Sequence, residues 1–417
     1  MSRIHFRTAR KPALALFLTL FLAILACPRA GAERLKSQVG YFVEMPSGFQ
    51  LSSSDGKAKY SFADPNGGME FDLLGYEPGR FADLESLVKE SLAKLGSKGD
   101  ATAYAYEGRR AVFAELNFKL NDKGKRGYGV FLEGRATPKT IDKDAKPDGA
   151  AAKSGGECSY ALLAFADEDK FEGYADFILS CLDSFSIDRG ALRSPGPVSQ
   201  FTLAWPPARN KEKKVSLAAL GGSEAGPGSV SLPWSAEEAA QEADTVTREY
   251  KVLVAYADEP ELYKDAWTRF YRMIYRESAA RLDRLALEAA KLLPPNDPTE
   301  AARRILAWTQ GFVYERDLKG SDFVAPLAAA YEARGDCDSR AVVAAIMLER
   351  LGVDAILLVS REYSHALLGV DVPGGGQRFS FGGKDYLMGE TTAKVSLGVI
   401  AADMADRTKW MGIDLGD

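Results

Sequence analysis

Two residue types limit the chemistry open to this chain. Its 417 residues include four cysteines and two histidines. Cys337 stands in Gly335-Asp336-Cys337-Asp338, at the head of an apolar run from Val342 to Leu351 that Gly352 closes. The run predicts a helix whose first turn carries the cysteine. Unpaired N–H groups at a helix start favour thiolate over thiol, so a nucleophilic sulfur is one reading; a buried, inert thiol is the other. His5 lies in a basic leader, which leaves His365 for any imidazole chemistry in a processed chain. After the cysteine helix the pattern turns to strands: 353–359, 365–372, 377–381 and 386–390. A cysteine-headed helix therefore precedes an antiparallel sheet with a histidine on one strand and an acid on a later one.

The other cysteines have different expected uses. Cys158 opens a strand-like run and Cys181 ends a helix-like one. If the two pack antiparallel, the thiols meet at one end, and an oxidising compartment would join them in a disulfide. Cys27 belongs to an N-terminal targeting segment, 1–32, with a basic region (Arg3, Arg7, Arg10, Lys11) before an apolar run too short to span a bilayer. Two processing routes are open. Ile24-Leu25-Ala26-Cys27 is lipobox-like, which would make Cys27 a lipid-anchored first residue; Ala30-Gly31-Ala32 fits ordinary cleavage before Glu33. Either route predicts export to the periplasm or cell envelope. The net charge of −5 becomes more negative once the leader is removed, which argues against nucleic acid as a partner. The basic run 209–214 reads as a solvated turn.

The elements that must position Cys337 and His365 divide the chain into regions of an α+β protein. Residues 33–190 alternate strands with two helices, at 81–95 and 171–182, and resemble the PsbP/Mog1-like folds in their order. Residues 191–258 read as a linker and connecting region with short strands at 201–205 and 215–217; a helix begins after Ser235, where Glu238 completes a capping box. Residues 259–417 hold a helix over 259–293, another from Asp297-Pro298 to Trp308, and then the cysteine helix and its sheet.

Residues 297–392 resemble the bacterial transglutaminase-like, papain-like superfamily. The likeness is carried by Trp308, Phe312-Val313-Tyr314, Gly335-Asp336-Cys337-Asp338, Leu351-Gly352-Val353-Asp354-Ala355, His365 and Gly389-Glu390-Thr391-Thr392, in that order. It implies a core helix opened by the cysteine and packed on an antiparallel sheet, with Cys337 as nucleophile, His365 as general base then acid, and Glu390 orienting the imidazole. Glu stands where the family more often has Asp, and Asp371 and Asp385 are rivals for that role. The implied reaction is acyl transfer at an amide through a thioester, by hydrolysis or transamidation, on a peptide or protein of the cell envelope. The Cys337 N–H is the implied oxyanion donor, with Trp308 or Gln310 as a second. No cofactor is implied. Asp336 and Asp338 are too few oxygen ligands to expect a metal. The competing reading is a catalytically inactive envelope scaffold or binding protein on the same fold.

Overall fold

The computed structural model describes residues 34–134, 157–221, 228–318 and 321–416. The expected targeting segment, Cys27 with it, and the whole polar stretch 139–156 lie outside the described residues.

In the N-terminal half, a small antiparallel hairpin of β1 (Leu35–Lys36) and β2 (Phe42–Val43) comes first. There follow β3 (Gln50–Ser54), β4 (Lys59–Ala63), β5 (Met69–Tyr76), α1 (Leu84–Leu95), β6 (Ala101–Tyr106), β7 (Arg109–Leu120), β8 (Lys123–Leu132), β9 (Ser159–Asp167) and α2 (Phe171–Asp183). Strands β3 to β9 form one seven-stranded antiparallel sheet in the order β3-β4-β5-β9-β8-β7-β6. The central strand β9 explains the layering. Its Leu162, Ala164 and Ala166 pack with Ile178 and Leu182 of α2, while Ala161, Leu163 and Phe165 pack with Leu84 and Leu87 of α1. Burial on both faces is why this strand reads as one apolar run rather than an alternating one. Asp83 caps α1 through the Ser86 N–H, and Gly96, with φ of 63°, ends it in the left-handed conformation.

The second half begins with α3 (Pro197–Thr202), the hairpin β10 (Lys211–Ser216) and β11 (Ser229–Trp234), and α4 (Ala236–Val254). Val215, Leu217, Leu232, Val246 and Leu253 share one core with the cysteine helix. No strand forms at 201–205: Phe201 and Thr202 end α3, the residues after them are irregular, and Phe201 stacks on Phe113 with ring centres 4.4 Å apart. The long helix expected over 259–293 is α5 (Tyr263–Ala279) and α6 (Asp283–Ala290), broken by a 3-10 turn at Ala280–Leu282. Arg281 in that turn is buried between Glu277 and Glu238. Meeting those carboxylates, rather than any local breaker residue, accompanies the break. Then come α7 (Pro298–Gln310), α8 (Pro326–Glu332), α9 (Cys337–Arg350), β12 (Ala355–Ser360), β13 (His365–Val370), β14 (Arg378–Phe381), β15 (Lys384–Gly389) and β16 (Met411–Asp414).

The C-terminal sheet is antiparallel, in the order β14-β15-β13-β12-β16. Helix α9 covers one face, packing Val342, Val343 and Ile346 with Leu357, Val359, Ala366 and Leu368. Trp410 closes the other face over Ile356, Leu358, Leu367 and Met388. Almost every residue of α9 is buried, as expected of a helix apolar on all sides.

The expected disulfide is absent: Cys158 and Cys181 are both free thiols. Cys181 is fully buried against Arg269, Glu249 and Arg248 of α4 and α5. Cys158 lies beside Lys57, Glu77 and Tyr160. Cys181 shares a core with β9, but a helix rises less than half as far per residue as a strand, so the end of α2 stops short of Cys158 at the start of β9.

Candidate active site

The cysteine turn is built from its own backbone outward. Asp336 caps α9: its Oδ1 accepts from the Ser339 N–H at 2.9 Å and the Ser339 hydroxyl at 2.6 Å. Gly335 has φ of 150°, and a Cβ there would stand 2.7 Å from the Ser339 Cβ, so both conformation and space call for glycine. Arg340, one turn into the helix, donates to the carbonyls of Gly335 (2.9 Å), Phe312 (2.8 Å) and Thr391 (3.2 Å). This single guanidinium ties the cysteine turn to the segment that carries Glu390.

The histidine and the acid come from neighbouring strands. Leu368 of β13 pairs with Gly389 of β15, and that register carries Glu390 to a diagonal of His365 on the same face. His365 Nε2 and Glu390 Oε2 are 2.8 Å apart. The other carboxylate oxygen, Oε1, accepts from the Thr392 N–H (2.7 Å) and hydroxyl (2.6 Å). Burial works to raise the Glu390 carboxyl, but His365 and Thr392 outweigh it and hold it down to about 2. Glu390 is therefore a fixed anion. Bonding at Nε2 leaves Nδ1 as the ring atom available to Cys337. The rival acids are elsewhere engaged: Asp371 meets Lys384 at 3.3 Å, and Asp385 accepts from the Ser380 hydroxyl.

Cys337 and His365 line one cleft of about 390 Å³, walled by Tyr263, Trp267, Tyr314 and Trp410. The sulfur is not in the electrostatic setting expected of a helix start. Burial pushes the thiol up, the Asp338 and Asp336 carboxylates add to this, and N–H groups of Ala366 and Asp338 only partly oppose it. These surroundings favour the thiol over the thiolate. The sulfur lies 3.8 Å from Asp338 Oδ2, and Asp338 Oδ1 accepts from the Tyr271 hydroxyl at 2.6 Å.

The two side chains expected as second oxyanion donors are committed elsewhere. Trp308 Nε1 donates to the Ser216 carbonyl at 2.9 Å. Gln310 Nε2 donates to the carbonyls of Glu390 and Val395, each at 2.8 Å, so it positions the acid segment. Sulfur and carboxylate oxygens of Asp336, Cys337 and Asp338 lie within 4.8 Å of one another, but the carboxylates already serve Ser339 and Tyr271. Sequence reasoning missed Tyr271 and Trp410, which reach the site from 66 residues before and 73 after Cys337 and carry no local signature. Among the described residues, no helix is long and apolar enough to cross a membrane.

No protein-family model matches the chain, and no curated protein matches it. Among solved structures, the cyanobacterial PsbP (CyanoP) from Synechocystis sp. PCC 6803 is similar at 13% identity over 40% of this chain and 98% of that one, with a TM-score of 0.26. A protein from Bacteroides thetaiotaomicron VPI-5482 is similar at 9% identity over 61% of this chain and 79% of that one, with a TM-score of 0.23. At such scores neither likeness carries weight for function.

Proposed function

We propose that the protein is an exported cysteine-dependent acyl transferase or hydrolase acting on amides, with Cys337 as nucleophile, His365 as general base and acid, and Glu390 as the anion that orients the ring. The observation that carries this reading is the 2.8 Å contact of His365 Nε2 with Glu390 in the cleft that Cys337 also lines. The ordered likeness of residues 297–392 to transglutaminase-like proteins supports it.

The chemistry follows from those positions. His365 Nδ1 takes the Cys337 proton as the sulfur attacks an amide carbonyl. Glu390 holds Nε2 as the donor and stabilises the imidazolium that forms. The Cys337 N–H, at the start of α9, faces charge developing on the carbonyl oxygen. Imidazolium returns its proton to the leaving amine, and a thioester remains on Cys337. Water or a second amine then resolves it, giving an acid or a new amide and restoring the thiol. The substrate class is peptide or protein amide in the cell envelope, reached by export with or without a lipid on Cys27.

One observation favours a second reading. The sulfur is strongly held as a thiol, as in a domain that keeps the fold to bind an envelope partner without turnover. The two are separated by offering a glutamine-rich protein and a fluorescent primary amine, alongside a fluorogenic peptide amide. Amine incorporation or amide hydrolysis that vanishes in Cys337→Ala is the expected result. Equal signals from wild type and Cys337→Ala in both assays would leave the binding reading in place.

A further inference from the structure

The pair Tyr271 and Asp338 stands against the sulfur, and the reaction as written does not use it. Residues i and i+1 of a helix point in different directions, so an aspartate does not ordinarily meet the side chain before it. Here it does, with Cys337 Sγ and Asp338 Oδ2 at 3.8 Å. The reason lies 67 residues upstream. The Tyr271 hydroxyl holds Oδ1 at 2.6 Å and so turns Oδ2 toward the sulfur. Tyr271 is fully buried, with Trp267 stacked on its ring at 5.7 Å and Phe270 edge-on at 5.1 Å. Its hydroxyl is a donor in a fixed place. A carboxylate can only accept, so the contact with sulfur exists while the sulfur carries its proton.

We propose that Asp338, anchored by Tyr271, is a positioning residue that keeps Cys337 protonated in the resting protein, so that the reactive ion pair with His365 forms only during turnover. This rests on reading Cys337 as the nucleophile. The titratable and charged groups around Asp338 and the sulfur are Tyr271 on α5, Tyr314 between α7 and α8, Asp336 and Arg340 at the start of α9, and His365 on β13. Burial, with Asp336 next, raises the Asp338 carboxyl, and Tyr271, His365 and Cys337 draw it back. A negative charge beside the sulfur disfavours thiolate whichever base removes the proton.

The test is the pH dependence of the alkylation rate at Cys337, followed by peptide mass spectrometry to separate it from Cys158 and Cys181. Asp338→Asn keeps the shape and an acceptor for Tyr271 but removes the charge. Its midpoint is expected at least one pH unit below wild type, with alkylation at neutral pH faster by about tenfold per unit. Tyr271→Phe frees Oδ1 and is expected to shift the midpoint the same way by less. If Asp338→Asn fails to fold by circular dichroism, Tyr271→Phe decides alone. A midpoint unchanged from wild type in the folded variants overturns the proposal, because a merely structural role would alter stability and leave the thiol titration where it was. The nucleophile reading fails separately, on amide turnover equal in wild type and Cys337→Ala.

Discussion

Glu390 Oε2 sits 2.8 Å from His365 Nε2, while its Oε1 is held by both the N–H and the hydroxyl of Thr392. One carboxylate oxygen is fixed by the strand end it belongs to, and the other fixes the ring. The extra methylene of Glu relative to Asp is accommodated by this fold-back onto Thr392.

That geometry makes Glu390 a source of acid sensitivity. Its carboxyl is lowered from 4.5 to about 2. A depressed acid contributes stability that is complete above its unfolded value and is lost as pH falls through the folded one. The contribution is on the order of 3 kcal/mol. Glu390→Gln should therefore be less stable than wild type at pH 6, with the gap closing between pH 4.5 and 2 in thermal melts. Amide turnover should fall on the order of 10²- to 10⁴-fold, because the imidazolium loses its counter-charge.

Gln310 is expected to act at a distance from the sulfur. Gln310→Ala removes two buried donors from the carbonyls of Glu390 and Val395. Chemical denaturation should show a loss of about 1–3 kcal/mol. Turnover should fall less than in Glu390→Gln, and Gln310→Glu should not restore it, since a carboxylate cannot donate to those carbonyls.

Glu242 carries a stability change of the opposite sign to Glu390. Burial raises its carboxyl to about 7 against the pull of Arg281; Oε2 accepts from the Leu327 N–H, and Oε1 has no partner among the described residues. A raised acid contributes stability present below its unfolded value and lost as pH rises through the folded one. Glu242→Gln keeps an acceptor for Leu327 and cannot ionise. Its melting point should match wild type at pH 4 and exceed it at pH 8, by roughly 2–3 kcal/mol in unfolding free energy. A variant less stable than wild type at pH 8 would contradict this.

Arg269 joins the two halves of the chain. Its guanidinium reaches Glu249 (2.9 Å), the Ser180 hydroxyl (2.7 Å) and the Glu44 carbonyl (2.9 Å), all buried. Arg269→Met should cost about 3 kcal/mol in urea unfolding, since buried Glu249 then keeps only Arg248 as counter-charge. An early separate transition in that variant would place the loss at the junction of the halves.

The residues that came through most clearly from sequence are those whose role is local. The Gly335-Asp336-Cys337-Asp338 turn and the apolar run that Gly352 closes announce the cysteine helix, and the scarcity of histidine singles out His365. What stayed hidden depends on helical phase or distance. A helix rises less than half as far per residue as a strand, so Cys181 stops short of Cys158 along β9 and the expected bond does not form. The break between α5 and α6 follows Arg281 meeting carboxylates from two segments. The four residues of β16 and Trp410 before it give no periodic signal, yet they complete the sheet and cap its outer face. Gln310, a candidate second oxyanion donor by sequence, donates instead to the carbonyls of Glu390 and Val395, a pairing that only the folded chain sets.

The central claim is that His365 activates Cys337. It is tested most directly by the rate at which an activated acyl ester acylates Cys337 at pH 7, read by peptide mass spectrometry in wild type and His365→Ala. A thioester on Cys337 is expected in wild type, forming about 10²-fold or more faster than in His365→Ala. Equal rates in the two proteins, or acylation confined to Cys158, would contradict it.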